Sequence, residues 1–75
     1  MVLVIDDDEF VREAITDILE HAAIPALTAV SGEEGIELYR QWMGEIDLVL
    51  LDMSMPGLDG IETFEELYLE RYEKY

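Results

Sequence analysis

Val2-Leu3-Val4-Ile5-Asp6-Asp7-Asp8 opens the chain as an apolar, β-branched run that stops abruptly in three acids. A run without polar alternation fits a strand buried on both faces, the condition of a strand inside a parallel sheet. The acids then mark its carboxyl end. The same grammar recurs downstream, where Ile46 to Leu51 is apolar and Asp52 ends it. Between the two, Val11, Ala14, Ile15, Ile18, Leu19 and Ala22 fall at the spacing of one helix face over Glu9 to about His21, with Asp8 as N-cap. Ile24-Pro25 ends that helix, because proline disfavours helical geometry in the residue before it.

A short strand is expected over Ala26 to Val30, and Ser31-Gly32-Glu33-Glu34 has the spacing of a capping box. The helix it opens should bury Ile36, Leu38, Tyr39 and Trp42 to varying degrees and close at Gly44. Met53 to Gly60 has the composition of a loop, and Asp59 caps a third helix with Ile61, Phe64, Tyr68 and Tyr72 on one stripe. Strands alternating with helices predict an α/β unit with a parallel sheet, right-handed crossovers and helices on both faces. No repeat, low-complexity tract or linker divides it, so residues 1–75 read as one domain.

Composition narrows the function. The 75 residues carry 19 acidic and 4 basic side chains, a net charge of −15, yet 51% of them are apolar. That much apolar sequence excludes a disordered acidic tail. The charge excludes nucleic acid, whose phosphates demand Lys and Arg, and favours cations or basic proteins. Without cysteine there is no disulfide, zinc–thiolate site or thiol nucleophile. No apolar stretch reaches the roughly 18 residues of a membrane span, and Met1 leads into acid without a basic leader, so a soluble, cytoplasmic chain with no membrane partner is expected. A chain this short buries only about 60% of its unfolded surface, and something is expected to supplement its core.

Ligands of open parallel sheets bind beyond the carboxyl ends of the strands. Asp6, Asp7 and Asp52 lie at such ends. If the first and third strands are neighbours, these carboxylates converge, and their repulsion is relieved by a cation. A hard divalent ion such as Mg²⁺ suits one or two carboxylates, a backbone carbonyl and waters. One carboxylate then stays free as a nucleophile.

The run from Val2 to Asp8 followed by Arg12, together with Leu48-Val49-Leu50-Leu51-Asp52-Met53-Ser54-Met55-Pro56-Gly57-Leu58-Asp59-Gly60, resembles the receiver domain of two-component response regulators. The double acid, the later acid and the D-x-x-M-P-x-x-D-G loop occur in family order across essentially the whole chain. The resemblance implies a flavodoxin-like sheet, here a truncated (βα)3 unit in order 2-1-3. It implies Asp52 as phosphoacceptor, and Asp7, Asp52 and the Ser54 backbone carbonyl as Mg²⁺ ligands, with Asp6 acting through water. Met55 and Pro56 would shape the loop, Gly57 and Gly60 its turns, and Asp59 the following cap. Its partners would be a sensor histidine kinase or phosphotransfer protein, and the chain itself no enzyme.

A full receiver runs to about 120 residues, an ordinary domain size, and its second half supplies a Thr or Ser and a Lys on two further strands. The only lysine here, Lys74, follows a helix and is not given that role. Weak or absent switching is therefore expected. The open third strand, with no proline or lysine in Leu48 to Leu51, predicts a homodimer through that edge or through the third helix. Two other readings compete: a self-assembling half-fold without catalysis, and a fragment of a haloacid-dehalogenase-type phosphatase in which Asp6 attacks and Asp8 is acid or base. Arg12 is expected to pair with Asp8 or Glu9, contact with the pocket being the lesser alternative, His21 to face the helix dipole, and Trp42, Phe64 and the methionines to pack. The spacing of Tyr68, Tyr72 and Tyr75 fits either a continued amphipathic helix or an interface, and the incomplete core favours the interface. Glu33, Glu34, Glu65 and Glu66 read as solvated helix faces.

Overall fold

The central strand decides how everything else is placed. In a computed structural model of the chain, which describes residues 1–55, 57 and 59–73, β1 (Val2–Ile5) lies between β2 (Ala26–Ala29) and β3 (Leu48–Leu51), in parallel with both. Helices α1 (Glu9–His21), α2 (Gly32–Trp42) and α3 (Gly60–Tyr68) connect and follow them, and a π-helical turn (Leu69–Glu73) extends α3. Expectations placed on Pro56, Leu58, Lys74 and Tyr75 lie outside the described residues. The order 2-1-3 is the one expected.

Being central, β1 is apolar on both sides, and Leu3, Val4 and Ile5 are fully buried. Leu3 and Ile5 share one face and join Ala29, Ile36, Tyr39, Ile46 and Leu67 in the core under α2 and α3. Val4 turns to the opposite face by strand alternation, where it lines a cleft with Ile15 of α1 and Leu50. The helix starts follow local chemistry. Asp8 Oδ1 accepts the Phe10 N–H at 2.9 Å, Ser31 Oγ the Glu34 N–H at 3.2 Å, and Asp59 Oδ1 the Glu62 N–H at 2.9 Å.

Helix α1 ends by a device beyond the Pro25 signal. The Ile24 N–H reaches Leu19 O at 2.9 Å and the Ala23 N–H reaches Glu20 O at 3.0 Å, a Schellman closure that holds Ala23 at φ 58°. His21 Nδ1 lies 2.8 Å from Asp17 O in the last turn, beside the negative end of the helix.

Three burial expectations are corrected. The apolar face of α1 is not sealed: no residue of the helix is buried, because α1 packs on β1 and β2 and leaves its side toward β3 uncovered. β3 is half-open rather than buried, with Leu48 53% exposed, since among the described residues no strand lies beyond it. Phe64, Met53 and much of Trp42, expected to pack, face outward, and Phe64 shares its exposed stripe with Ile61, Tyr68 and Tyr72. It is Gly60, Thr63 and Leu67 that α3 buries, the helix packing on α2 and its first residue, Gly60, on Asp52 and Met53. Phe64 and Tyr68 rings stand 6.5 Å apart and Tyr68 and Tyr72 rings 5.0 Å apart along the exposed stripe. The π-helical turn is tied down by a bond the sequence did not announce, in which Arg40 Nε of α2 donates to buried Glu70 at 2.7 Å.

Ala23 is an L-residue in the left-handed region that glycine occupies without strain. Allowing for the greater freedom glycine has in the unfolded chain, Ala23→Gly is expected to raise stability by about 0.5–1 kcal/mol. Urea unfolding checks this, and a destabilised variant would contradict the assigned closure.

Candidate functional site

Parallel pairing sets Ile5 opposite Leu51, so the chain leaves β1 and β3 at the same level. The last ladder bonds hold it there: Asp6 N–H donates to Ala29 O at 3.1 Å and Asp52 N–H to Ile5 O at 2.9 Å. Asp6, Asp7 and Asp52 consequently converge, with one carboxylate oxygen from each within 4.8 Å of the others. Asp6 and Asp52 are half-buried and Asp7 is exposed.

Neighbouring donors make this concentration of charge tolerable. Asp6 Oδ1 accepts the Asp8 N–H at 2.9 Å, and Asp52 Oδ1 accepts both the Ser54 N–H at 3.0 Å and the Ser54 hydroxyl at 2.9 Å. The Ser54 amide, then its hydroxyl, hold the Asp52 carboxyl below the ordinary carboxylate range; partial burial opposes them, and Asp7 and Asp6 add smaller downward contributions. Both Ser54 bonds fall on Oδ1, which leaves Oδ2 as the oxygen free of that grip. Three clustered carboxylates, that of Asp7 exposed to water, are hard oxygen donors, the set that fits a small divalent cation retaining several waters.

Arg12 takes the lesser of its two expected roles, contact with the pocket. It pairs with neither Asp8 nor Glu9; its Nη1 donates to the main-chain carbonyl of Asp6 at 2.8 Å, at the base of the carboxylate cluster. The Asp8 carboxylate is turned instead to the Phe10 and Val11 N–H groups as the cap of α1.

The loop after Asp52 is closed from both ends. Met55 is buried in the core, Gly57 takes φ 75°, and Asp59 caps α3. At Gly60 a side chain has no room: a Cβ there would overlap Met53 Cα and lie 2.8 Å from Asp52 O. Glycine thus lets the start of α3 press directly on the segment carrying Asp52. A separate cavity of about 560 Å³, lined by Tyr39, Ile46, Val49, Leu51, Phe64 and Leu67 among others, runs along β3 and α3 away from the carboxylates.

Comparison with known proteins gives these features a family. Residues 2–74 match the response regulator receiver domain. Chemotaxis protein CheY of Halobacterium salinarum is 41% identical over 66 residues, covering 88% of this chain and 53% of that protein. A protein-glutamate methylesterase/protein-glutamine glutaminase of Natronomonas pharaonis is 46% identical over 62 residues, which is 81% of this chain and 17% of that protein. Among solved structures, CheY in the CheX-CheY-BeF3-Mg complex of Borrelia burgdorferi superposes with a TM-score of 0.87 at 32% identity, covering 97% of this chain and 55% of that one. The chain belongs to the response regulator receiver domain family. It spans about half the length of the CheY proteins it matches, and far less of the methylesterase. Among the described residues, no helix is long and apolar enough to cross a membrane.

Two outcomes follow from this geometry. Ser54→Ala removes the hydroxyl donor, so the Asp52 pKa is expected to rise toward the ordinary carboxyl value, read by ¹³C titration of its carboxyl carbon; an unmoved pKa would contradict the assigned bond. The sign for stability is that of a depressed carboxyl. Its contribution is present above the unfolded pKa and lost as pH falls through the folded one, and the variant loses less over that window. Gly60→Ala is expected to destabilise the chain by about 1–3 kcal/mol through overpacking and to displace the Asp52 amide resonance, whereas wild-type stability would contradict the close approach.

Proposed function

We propose that this chain is a phosphoacceptor module of a two-component phosphorelay, with Asp52 as the accepting residue. The observation that carries the reading is the convergence of Asp6, Asp7 and Asp52 at the carboxyl ends of paired strands, in a chain of receiver-domain sequence. Asp7, Asp52 and the Ser54 carbonyl would hold Mg²⁺, with Asp6 supporting it through water. Bound there, Mg²⁺ supplies positive charge against the phosphoryl oxygens. Asp52 contributes the nucleophile: a carboxylate oxygen attacks phosphorus, the new P–O bond forms, and the bond from phosphorus to the donor's leaving group breaks with its electron pair departing on that group. Its lowered pKa keeps it ionised for that attack. The donor is a phosphohistidine of a sensor kinase or phosphotransfer protein, in a cytoplasmic setting, and the chain is a substrate of that transfer rather than an enzyme.

Asp8 favours this reading over a phosphatase. A phosphatase of the D-x-D type aims that residue at the reacting group, whereas here the Asp8 side chain is turned to the Phe10 and Val11 amides as the cap of α1. Among the described residues the sheet has three strands, and a phosphoryl site without a further hydroxyl and ammonium donor loses on the order of 10²-fold in rate for each. Acetyl phosphate with Mg²⁺ is therefore expected to phosphorylate the chain slowly and incompletely, seen as intact-mass addition at Asp52 and abolished by Asp52→Asn. Rapid, full conversion would refute the attenuated role, and modification that survives Asp52→Asn would refute the acceptor.

A homodimer belongs to the same proposal. Because Asp52 turns its N–H inward to Ile5, strand alternation turns the N–H and C=O of Val49 and Leu51 to the free edge. Two such edges are self-complementary about a two-fold axis at Leu50, pairing Val49 of each copy with Leu51 of the other. Light scattering at high micromolar concentration is expected to give a dimer for wild type and a monomer for Val49→Pro. A wild-type monomer contradicts the reading, and a dimer that survives the proline moves the contact to α3.

A further inference from the structure

We infer that Arg12 is a positioning residue for the acidic pocket: by holding the Asp6 carbonyl, it fixes the peptide plane from which Asp6 and Asp7 project. The inference rests on the Mg²⁺ reading above.

Asp6 is fastened at three atoms. Its N–H donates to Ala29 O at 3.1 Å, its Oδ1 accepts the Asp8 N–H at 2.9 Å, and its carbonyl accepts Arg12 Nη1 at 2.8 Å. The first bond ends the β1–β2 ladder and the second shapes the turn into α1. Only the third acts on the peptide joining Asp6 to Asp7. That unit is planar, so holding its oxygen sets the direction in which the Asp7 Cα leaves. Arg12 is suited to the task because it is half-buried and stands on a regular turn, its own N–H donating to Asp8 O at 3.0 Å. Its placement is also selective, since a chain with 19 acids and 4 bases spends a guanidinium on a neutral carbonyl.

A competing account makes Arg12 only a local positive charge. The two accounts differ in sign. A cation beside the cluster repels Mg²⁺, so on the charge account its removal tightens binding. On the positioning account removal loosens Asp7 relative to Asp52, and loss of a bond that orients a metal ligand weakens affinity by about 10–100-fold.

Calorimetric titration of the full chain with Mg²⁺ alone, wild type against Arg12→Ala, decides between them. The expected result is at least about tenfold weaker binding in the variant. In the Mg²⁺-free protein, the Asp6 carbonyl ¹³C resonance is expected to move as its bond is lost, with the helical spectrum kept. Equal or tighter Mg²⁺ binding by Arg12→Ala, or an unmoved Asp6 carbonyl resonance, overturns this inference alone. Wild-type protein without saturable Mg²⁺ binding overturns the metal reading and this inference with it. Should Arg12→Ala fail to fold, Arg12→Gln, which is too short to reach the carbonyl, carries the same comparison.

Discussion

Parallel pairing of β1 with β3, Ile5 against Leu51, is the constraint on which the site depends. Parallel strands end at the same side of a sheet, so residues that follow them are brought together whatever their separation in sequence. Asp6 and Asp52 are adjacent because the Asp52 N–H closes the ladder on Ile5 O. Slippage by one residue would turn every side chain of β3 to the other face and carry Asp52 away from the cluster. The buried residues Leu3, Val4 and Ile5 resist that slippage, since each is matched to one face of the core. In this sense the fully apolar strand exists to hold the acids that end it.

Bringing three carboxylates within 4.8 Å works against folding unless their charge is answered. The chain answers it with short local bonds rather than with cations. Turn amides at Asp8 and Ser54 and the Ser54 hydroxyl donate to two of the carboxylates, and charge-assisted bonds of this kind are stronger than neutral ones. Arg12, which reaches the base of the cluster, is spent on the Asp6 carbonyl instead. The cluster therefore keeps its negative character, the property a cation site requires. Elsewhere charge is used differently. Arg40 and Glu70 form a partly buried pair that ties the π-helical turn to α2, and Glu70, being buried, makes that pair necessary.

Which features were legible in the sequence follows from their range. Asp8, Ser31 and Asp59 cap helices through contacts two or three residues away, so local spacing was enough. Asp6, Asp7 and Asp52 were legible because strand ends announce themselves by an apolar run meeting an acid. The exposure of Ile18 and Phe64 was not, because periodicity tells which side chains share a face and is silent on whether anything covers it. Arg40 with Glu70 spans 30 positions and leaves no local pattern. Ala23 closes α1 in a conformation that sequence reading reserves for glycine.

The account stands on the carboxylates acting together toward a cation. Titration of the ¹⁵N-labelled chain with Mg²⁺, followed by amide spectra, tests that most directly. Saturable shifts confined to Asp6, Asp7 and the segment Asp52 to Ser54, reversed by chelator, are the predicted result. No saturable change, or shifts distributed over helix acids such as Glu33, Glu34, Glu65 and Glu66, would contradict it.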